Sequence, residues 1–356
     1  MITRSCQSEM LREWTEALGS HFPFTRLLAP LNPVVLMYHG IPRQSEGSAV
    51  DADSFERHIC FLKRNFVLVS VDDLGARRRI GGRVRVMLTF DDGFRNNAEV
   101  AAPILRRHNV PACFFISSRH AYPRKYLWFT YLRMLEKHFK GNGFMFDGEF
   151  MDMSVPRQRL TIDRLTTLLV GLRPHPERMY QVIEEELPRP EDFVSSSDLT
   201  DHYAGMTAEQ IEELSTNPLF SIGVHTLDHP FLTKCDWAEA SRQIVGNKTW
   251  LENVIRRPCD AIAYPLADYD AEIVKLCRSV GFCRGYSVNR NIHCDLELER
   301  PRVGIYHPSL NELGFKVRWG NLLRVFVEYR NLRSLFTVLR GGLKQGLRYL
   351  PQTVHR

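Results

Sequence analysis

Short apolar runs alternating with amphipathic stretches predict an α/β fold whose parallel sheet closes into a barrel, with a helical insertion and a C-terminal helical tail. The runs PVVLMYHGI (33–41), VRVMLTF (84–90), PACFFISS (111–118) and LFSIGVH (219–225) are apolar on both faces, as strands of a covered parallel sheet are. Between the first two lies DADSFERHICFLKRNF, where Phe55, Ile59 and Leu62 fall on one helical face behind a cap at Asp53 or Ser54. In such barrels the chemistry gathers at the C-terminal ends of the strands.

The remaining elements follow in order. FVLVSVDDL (66–74) reads as a short strand and NAEVAAPILRRHNV (97–110) as a helix. The alternation lapses over about 124–205, where YLWFTYLRMLEKHF, IDRLTTLLVGL and PERMYQVIEEEL read as helices joined by loops, an insertion over one side of the barrel mouth. It resumes with a helix at 207–218, then the strand ending at His225. The helix WAEASRQIVGNKTWLENVI, the strand AIAYP, the helix YDAEIVKLCRSVG and the strand CRGYSV follow. This divides the chain into a helical extension (1–30), a barrel (31–306) and a tail (307–356). In the tail Leu322, Phe326, Tyr329, Leu332, Phe336, Leu339 and Leu343 recur at helical spacing among arginines and lysines.

Composition narrows the class. The 356 residues are 44% hydrophobic and 25% charged, with a net charge of +6, enough chain to bury a large core without staples. None of the eight cysteines forms a Cys-x-x-Cys pair, so a zinc ribbon or a dithiol redox motif is not expected. The N-terminal stretch is charged and lacks the apolar core of a signal peptide, which predicts a cytoplasmic protein. The basic residues form a tail stripe without a recognition motif, so nucleic-acid binding is not expected.

Two clusters carry the chemistry. TFDDG ends a buried strand in adjacent carboxylates, Asp91 and Asp92, whose repulsion demands a metal, a shared proton or exposure. HTLDH ends another strand with His225 and His229, which face one centre if a helical turn begins there. Two imidazoles and a carboxylate suit a zinc-type site with an open position.

TFDDG followed by HTLDH, with LMYHG before and AYP after, resembles the polysaccharide deacetylases, carbohydrate esterase family four or the nodulation-deacetylase homology domain. The resemblance covers about 33–306. It implies a distorted (β/α) barrel of about seven strands and a metal-dependent N-deacetylase activity. It assigns Asp91 as general base, Asp92, His225 and His229 as metal ligands, and the Leu266 amide as an oxyanion donor. Tyr264 and Pro265 would contact substrate. The sequence departs from the family in reading Ala263-Tyr264-Pro265-Leu266-Ala267, without the arginine that precedes the motif proline in many members; Arg300 and Arg302 are candidates to tether the base. His307, with His293 behind it, is the candidate general acid, while Tyr38-His39, Thr226 and Phe90 are expected to orient and pack.

The expected cofactor is a divalent ion, zinc first and cobalt, nickel or manganese as alternatives. The expected substrate is an N-acetylated sugar, an oligosaccharide, or a lipid- or nucleotide-linked precursor. Hydrolysis of O-acetyl esters or of a non-sugar amide on the same site, and a glycan-binding pseudoenzyme, are the alternatives. Two readings of the tail stay open: a helix packed on the barrel, or peripheral membrane contact through 316–350.

Overall fold

A computed structural model describes residues 33–44, 49–75, 83–172, 174–288 and 297–318. The expected N-terminal extension, His293 and the tail beyond 318 lie outside the described residues.

The strands are β1 (Val34–Tyr38), β2 (Val67–Leu68), β3 (Arg85–Phe90), β4 (Ala112–Ile116), β5 (Gly143–Phe146), β6 (Glu149–Asp152), β7 (Phe220–Val224), β8 (Ala261–Ala263), β9 (Arg284–Ser287) and β10 (Arg300–Gly304). Seven of them, β1, β3, β4, β7, β8, β9 and β10, pair in parallel in that order, and β1 pairing with β3 and β10 closes the ring. The expected distorted barrel is therefore present, with the two-residue β2 on the flank of β3.

Alternation along each strand separates two cores. Val34, Leu36, Tyr38, Val86, Leu88 and Phe90 point outward into the layer shared with the helices. Val35, Met87, Cys113, Phe115, Ala261, Ala263 and Tyr286 fill the interior. The helix Ala52–Asn65 seals one flank with Phe55, Ile59 and Leu62, all fully buried, each worth roughly 2 kcal/mol. Its cap is Asp51 rather than Asp53 or Ser54: Asp51 Oδ1 accepts from the Ser54 amide at 3.0 Å, and Ser54 Oγ returns the bond to the Asp51 amide. The expected helix at 97–110 begins as a π turn, Asn97–Ala101, before its α segment Ala102–Arg107.

The insertion joins β4 to β7 and packs around its own core of Trp128, Tyr131, Leu135, Leu165, Leu169 and Tyr180. It is not wholly helical. Besides the helices Trp128–His138, Gln158–Gly171 and Pro176–Gln181, it contains the antiparallel hairpin β5–β6. The hairpin turns on Asp147 and Gly148, both at positive φ, and the Asp-Gly pair is the sequence signal that the helical reading passed over. Among the described residues no helix is long and apolar enough to cross a membrane.

Candidate metal and catalytic centre

The upper ends of β3, β7, β8, β1 and β10 converge on one small, dry region. Strand alternation carries Asp91 inward above Met87 and Thr89, and its amide is fixed by Tyr38 O on the neighbouring strand at 3.0 Å. Asp92 then adopts φ 74° and Gly93 φ 79°, which turns the second carboxylate back over the barrel. Gly93 is required there, because a Cβ would lie 2.9 Å from Ile116 Cγ2.

His225 follows β7 directly. No helical turn forms after it, contrary to the spacing argument: Thr226 and His229 both have positive φ. Thr226 Oγ1 donates to His225 O at 2.6 Å and accepts from the His229 amide at 3.1 Å, so this side chain folds the loop that brings the second imidazole round. The Nε2 atoms of His225 and His229 lie 3.4 and 3.5 Å from Asp92 Oδ1, and all three residues are buried.

The donor set fits a divalent cation. His225 Nδ1 donates to Ala263 O at 2.7 Å, which fixes the ring and directs its other nitrogen at Asp92. Both Asp92 carboxylate oxygens are buried without a hydrogen-bond partner, a costly arrangement for a charged group. Asp92, His225 and His229 therefore form a possible metal site, each offering one atom within 4.8 Å of the others. Burial pushes the Asp92 carboxyl up, but the imidazoles of His225, His39 and His229 reverse this and hold it well below the carboxylate range. Burial pushes His229 down to about 4, leaving a neutral imidazole. Burial also disfavours the charged form of His225, yet the Asp91 and Asp92 carboxylates outweigh it and raise its pKa.

Asp91 has a different partner. Arg302, on β10 and only 1% exposed, grips it with both arms, Nη1 to Oδ1 at 2.6 Å and Nη2 to Oδ2 at 2.7 Å. Of the two candidates, Arg302 is thus the tether. Burial pushes Asp91 up; the Arg302 guanidinium, with His225 beside it, more than offsets this and keeps the pKa below the usual carboxylate value. Arg302 is the main compensation for Asp91 and the imidazole pair for Asp92, with His225 acting on both.

At the β8 end, Tyr264 turns away from the mouth. It is 1% exposed and stacks on Tyr269 with ring centroids 4.2 Å apart, so its side chain belongs to the core, and Pro265 is buried as well. That corrects the expectation that these two contact substrate. Leu266 is 44% exposed at φ 55°. The bonds of this turn run from the Ala267 amide to Tyr264 O and from the Asp268 amide to Pro265 O, using other amides than that of Leu266. His307 lies in the turn after β10, where Nδ1 accepts from the Ser309 amide at 3.2 Å and faces Glu312 at 3.8 Å.

Other contributors surround the centre, of which the sequence singles out only His39, as an orienting residue. His39 extends β1 past Tyr38, in the layer of Asp91, and its imidazole is among the groups that lower the pKa of both acids. His120 bridges Asp92 O at 3.2 Å and Tyr203 O at 2.9 Å. From the insertion, Trp128 Nε1 donates to His229 O at 3.3 Å and the Phe129 ring lies 4.9 Å from the His229 ring. Asp228, beside the ligand, accepts from Gln243 Nε2 at 2.6 Å and contacts Arg119 at 3.4 Å, while Tyr180 donates to its carbonyl at 2.8 Å. The signal available was the charged, non-apolar character of Arg119 and Asp228 beside strand ends.

The model of the family described as polysaccharide deacetylase matches residues 79–138 and 175–284, and the chain belongs to that family. The unmatched interval contains β5, β6 and the helix Gln158–Gly171. Among solved structures, the Streptococcus pyogenes deacetylase PplD in complex with acetate is similar at 17% identity and TM-score 0.50, over 80% of this chain and 97% of that one. IcaB from Ammonifex degensii is similar at 18% identity and TM-score 0.50, over 81% and 96%. These likenesses speak for the fold. No curated protein matches the chain.

Proposed function

We propose that this chain is a metal-dependent N-deacetylase that hydrolyses the acetamide of an amino-sugar residue in an acetylated glycan. The observation carrying the reading is a division of labour between adjacent acids. Asp91 is locked by Arg302 at 2.6 and 2.7 Å, and Asp92 faces two imidazoles with its own oxygens unpartnered.

Asp92, His225 and His229 would hold the ion, with zinc proposed and cobalt, nickel or manganese compatible with the same donors. When bound, such an ion supplies Lewis acidity and lowers the pKa of its water to about 7. The chain's residues account for the rest. Asp91 is ionised, and Arg302 occupies one lone-pair direction on each of its oxygens, leaving others to accept the proton of an attacking water. The guanidinium also fixes the carboxylate in one rotamer, so little reorganisation is needed when the proton moves. The exposed turn at Leu266 offers an amide for the oxyanion. His307, held through Nδ1 by Ser309 and Glu312, and His39, in the layer of Asp91, are the two candidates to deliver a proton to the leaving amine.

Acetate release from N-acetylated oligosaccharides tests the reading, with and without chelator. Release that chelator abolishes and added ion restores supports it; release indifferent to chelator overturns it.

A further inference from the structure

Tyr306 is a large aromatic left 60% exposed, one of the few such side chains at the upper end of the barrel. Its position follows from the sheet. Ile305 donates its amide to Met37 O at 2.8 Å, extending the β10–β1 ladder, and Asp91 donates to Tyr38 O at 3.0 Å on the other side of β1. Tyr306, His39 and Asp91 therefore stand side by side at the ends of three adjacent strands.

The ring is held rather than loose. It stacks on the His39 imidazole with centroids 5.7 Å apart and planes at 28°. It folds back over Gly304, where a Cβ would lie 2.5 Å from Tyr306 Cε2 and 2.8 Å from its hydroxyl oxygen. Glycine at this strand end is thus what lets the ring lie flat. The Lys316 ammonium lies 5.9 Å from the ring centroid and is itself anchored on Gly304 O at 2.9 Å. The ring is thus held in one orientation with apolar area open to solvent, area whose burial would gain roughly 25 cal/mol per Å².

We propose that Tyr306 is a carbohydrate-stacking subsite, its ring receiving the C–H face of a pyranose of the substrate beside the residue that reacts. The aromatic face carries negative charge density and attracts polarised C–H groups, while its flat apolar area matches one face of a sugar ring. The inference rests on the deacetylase reading and deepens it by assigning a residue to recognition of sugar rather than of the acetyl group.

The test compares an N-acetylglucosamine oligomer with a sugar-free aryl acetate ester, using wild type, Tyr306→Ala and Tyr306→Phe with bound ion. The expected result is a fall of about tenfold or more in the ratio of kcat/KM for the oligomer to that for the ester in Tyr306→Ala, carried mainly by KM. Tyr306→Phe, which keeps the ring, stays within about threefold of wild type. Equal losses on both substrates would mean that Tyr306 acts only by bracing His39, and would overturn the subsite. An unchanged ratio in an active enzyme overturns it too. Wild type that releases acetate from the ester but from no sugar refutes the deacetylase reading itself, and the subsite with it.

Discussion

Arg302 and Asp91 face each other across the barrel interior, joined by two short parallel hydrogen bonds at 2.6 and 2.7 Å although 211 positions separate them in the chain. The pair is almost completely buried, with side chains 1% and 3% exposed. Removing one partner strands the other's charge, which costs about 3–5 kcal/mol. Arg302→Met is expected to lower stability by that order in denaturant unfolding. It also removes the cation that offsets burial at Asp91, so the base protonates at higher pH. The acid limb of the kcat/KM profile should therefore move toward neutrality. A limb that stays put would separate Arg302 from the ionisation of Asp91.

Ion binding should stabilise the fold, because the donors face one another only in the folded chain. At a free ion concentration of about 100 Kd the gain is roughly 2.7 kcal/mol, read as a rise in Tm with added zinc. Asp92→Asn and His225→Ala should abolish the rise. The Asp91 and Asp92 carboxylates raise the His225 pKa, which strengthens the competition of protons with the ion, so affinity should fall as pH falls. Calorimetry in buffers of different ionisation enthalpy would detect the released proton.

The loop carrying His229 is steadied by Asp228, itself gripped by Arg119 and Gln243. Asp228→Ala removes the carboxylate that ties this loop to Arg119 and Gln243, leaving those two held by Glu184 and by Glu239 with the residue-228 amide. Losing such outer support weakens metal affinity roughly 10- to 100-fold, measurable by competition with a chromogenic chelator. Affinity equal to wild type would show that Thr226 and the backbone contacts from Tyr180, Trp128 and Gln243 hold the loop without the Asp228 carboxylate.

His58 supplies a pH test away from the centre. Burial pushes its pKa down from 6.5 to about 4, so the folded state keeps it neutral. As pH falls below 6.5 the unfolded chain gains a proton that the folded chain does not. Stability is complete above that pH and is lost progressively on the way down to about 4. The loss accumulated by about pH 5 is roughly 2 kcal/mol. His58→Leu should flatten the decline in Tm between about pH 7 and pH 5 relative to wild type.

How much of this was legible follows from what kind of signal each part leaves. The barrel strands are apolar on both faces, a pattern that survives in one dimension, and the acids of TFDDG and the histidines of HTLDH stand at their ends. Arg302 was legible only as one of two candidates, because its inward direction depends on the register of β10 against β1. The hairpin β5–β6 had its Asp147-Gly148 signal, but the flanking helical periodicity outweighed it. The HTLDH loop misled on geometry, since an i, i+4 spacing suggests a helical turn, whereas Thr226 and His229 reach the centre through positive φ. Tyr264 misled because an aromatic next to a motif proline reads as a binding residue, and only packing against Tyr269 reveals it as core.

The central claim is that Asp91 is the base and Asp92 a ligand. The most direct measurement is acetate release from an N-acetylated oligosaccharide by Asp91→Asn, with bound ion quantified in the same preparation. The account predicts a loss of roughly 100-fold or more in kcat with the wild-type amount of ion retained. Full activity in that variant, or loss of the ion along with activity, would contradict it.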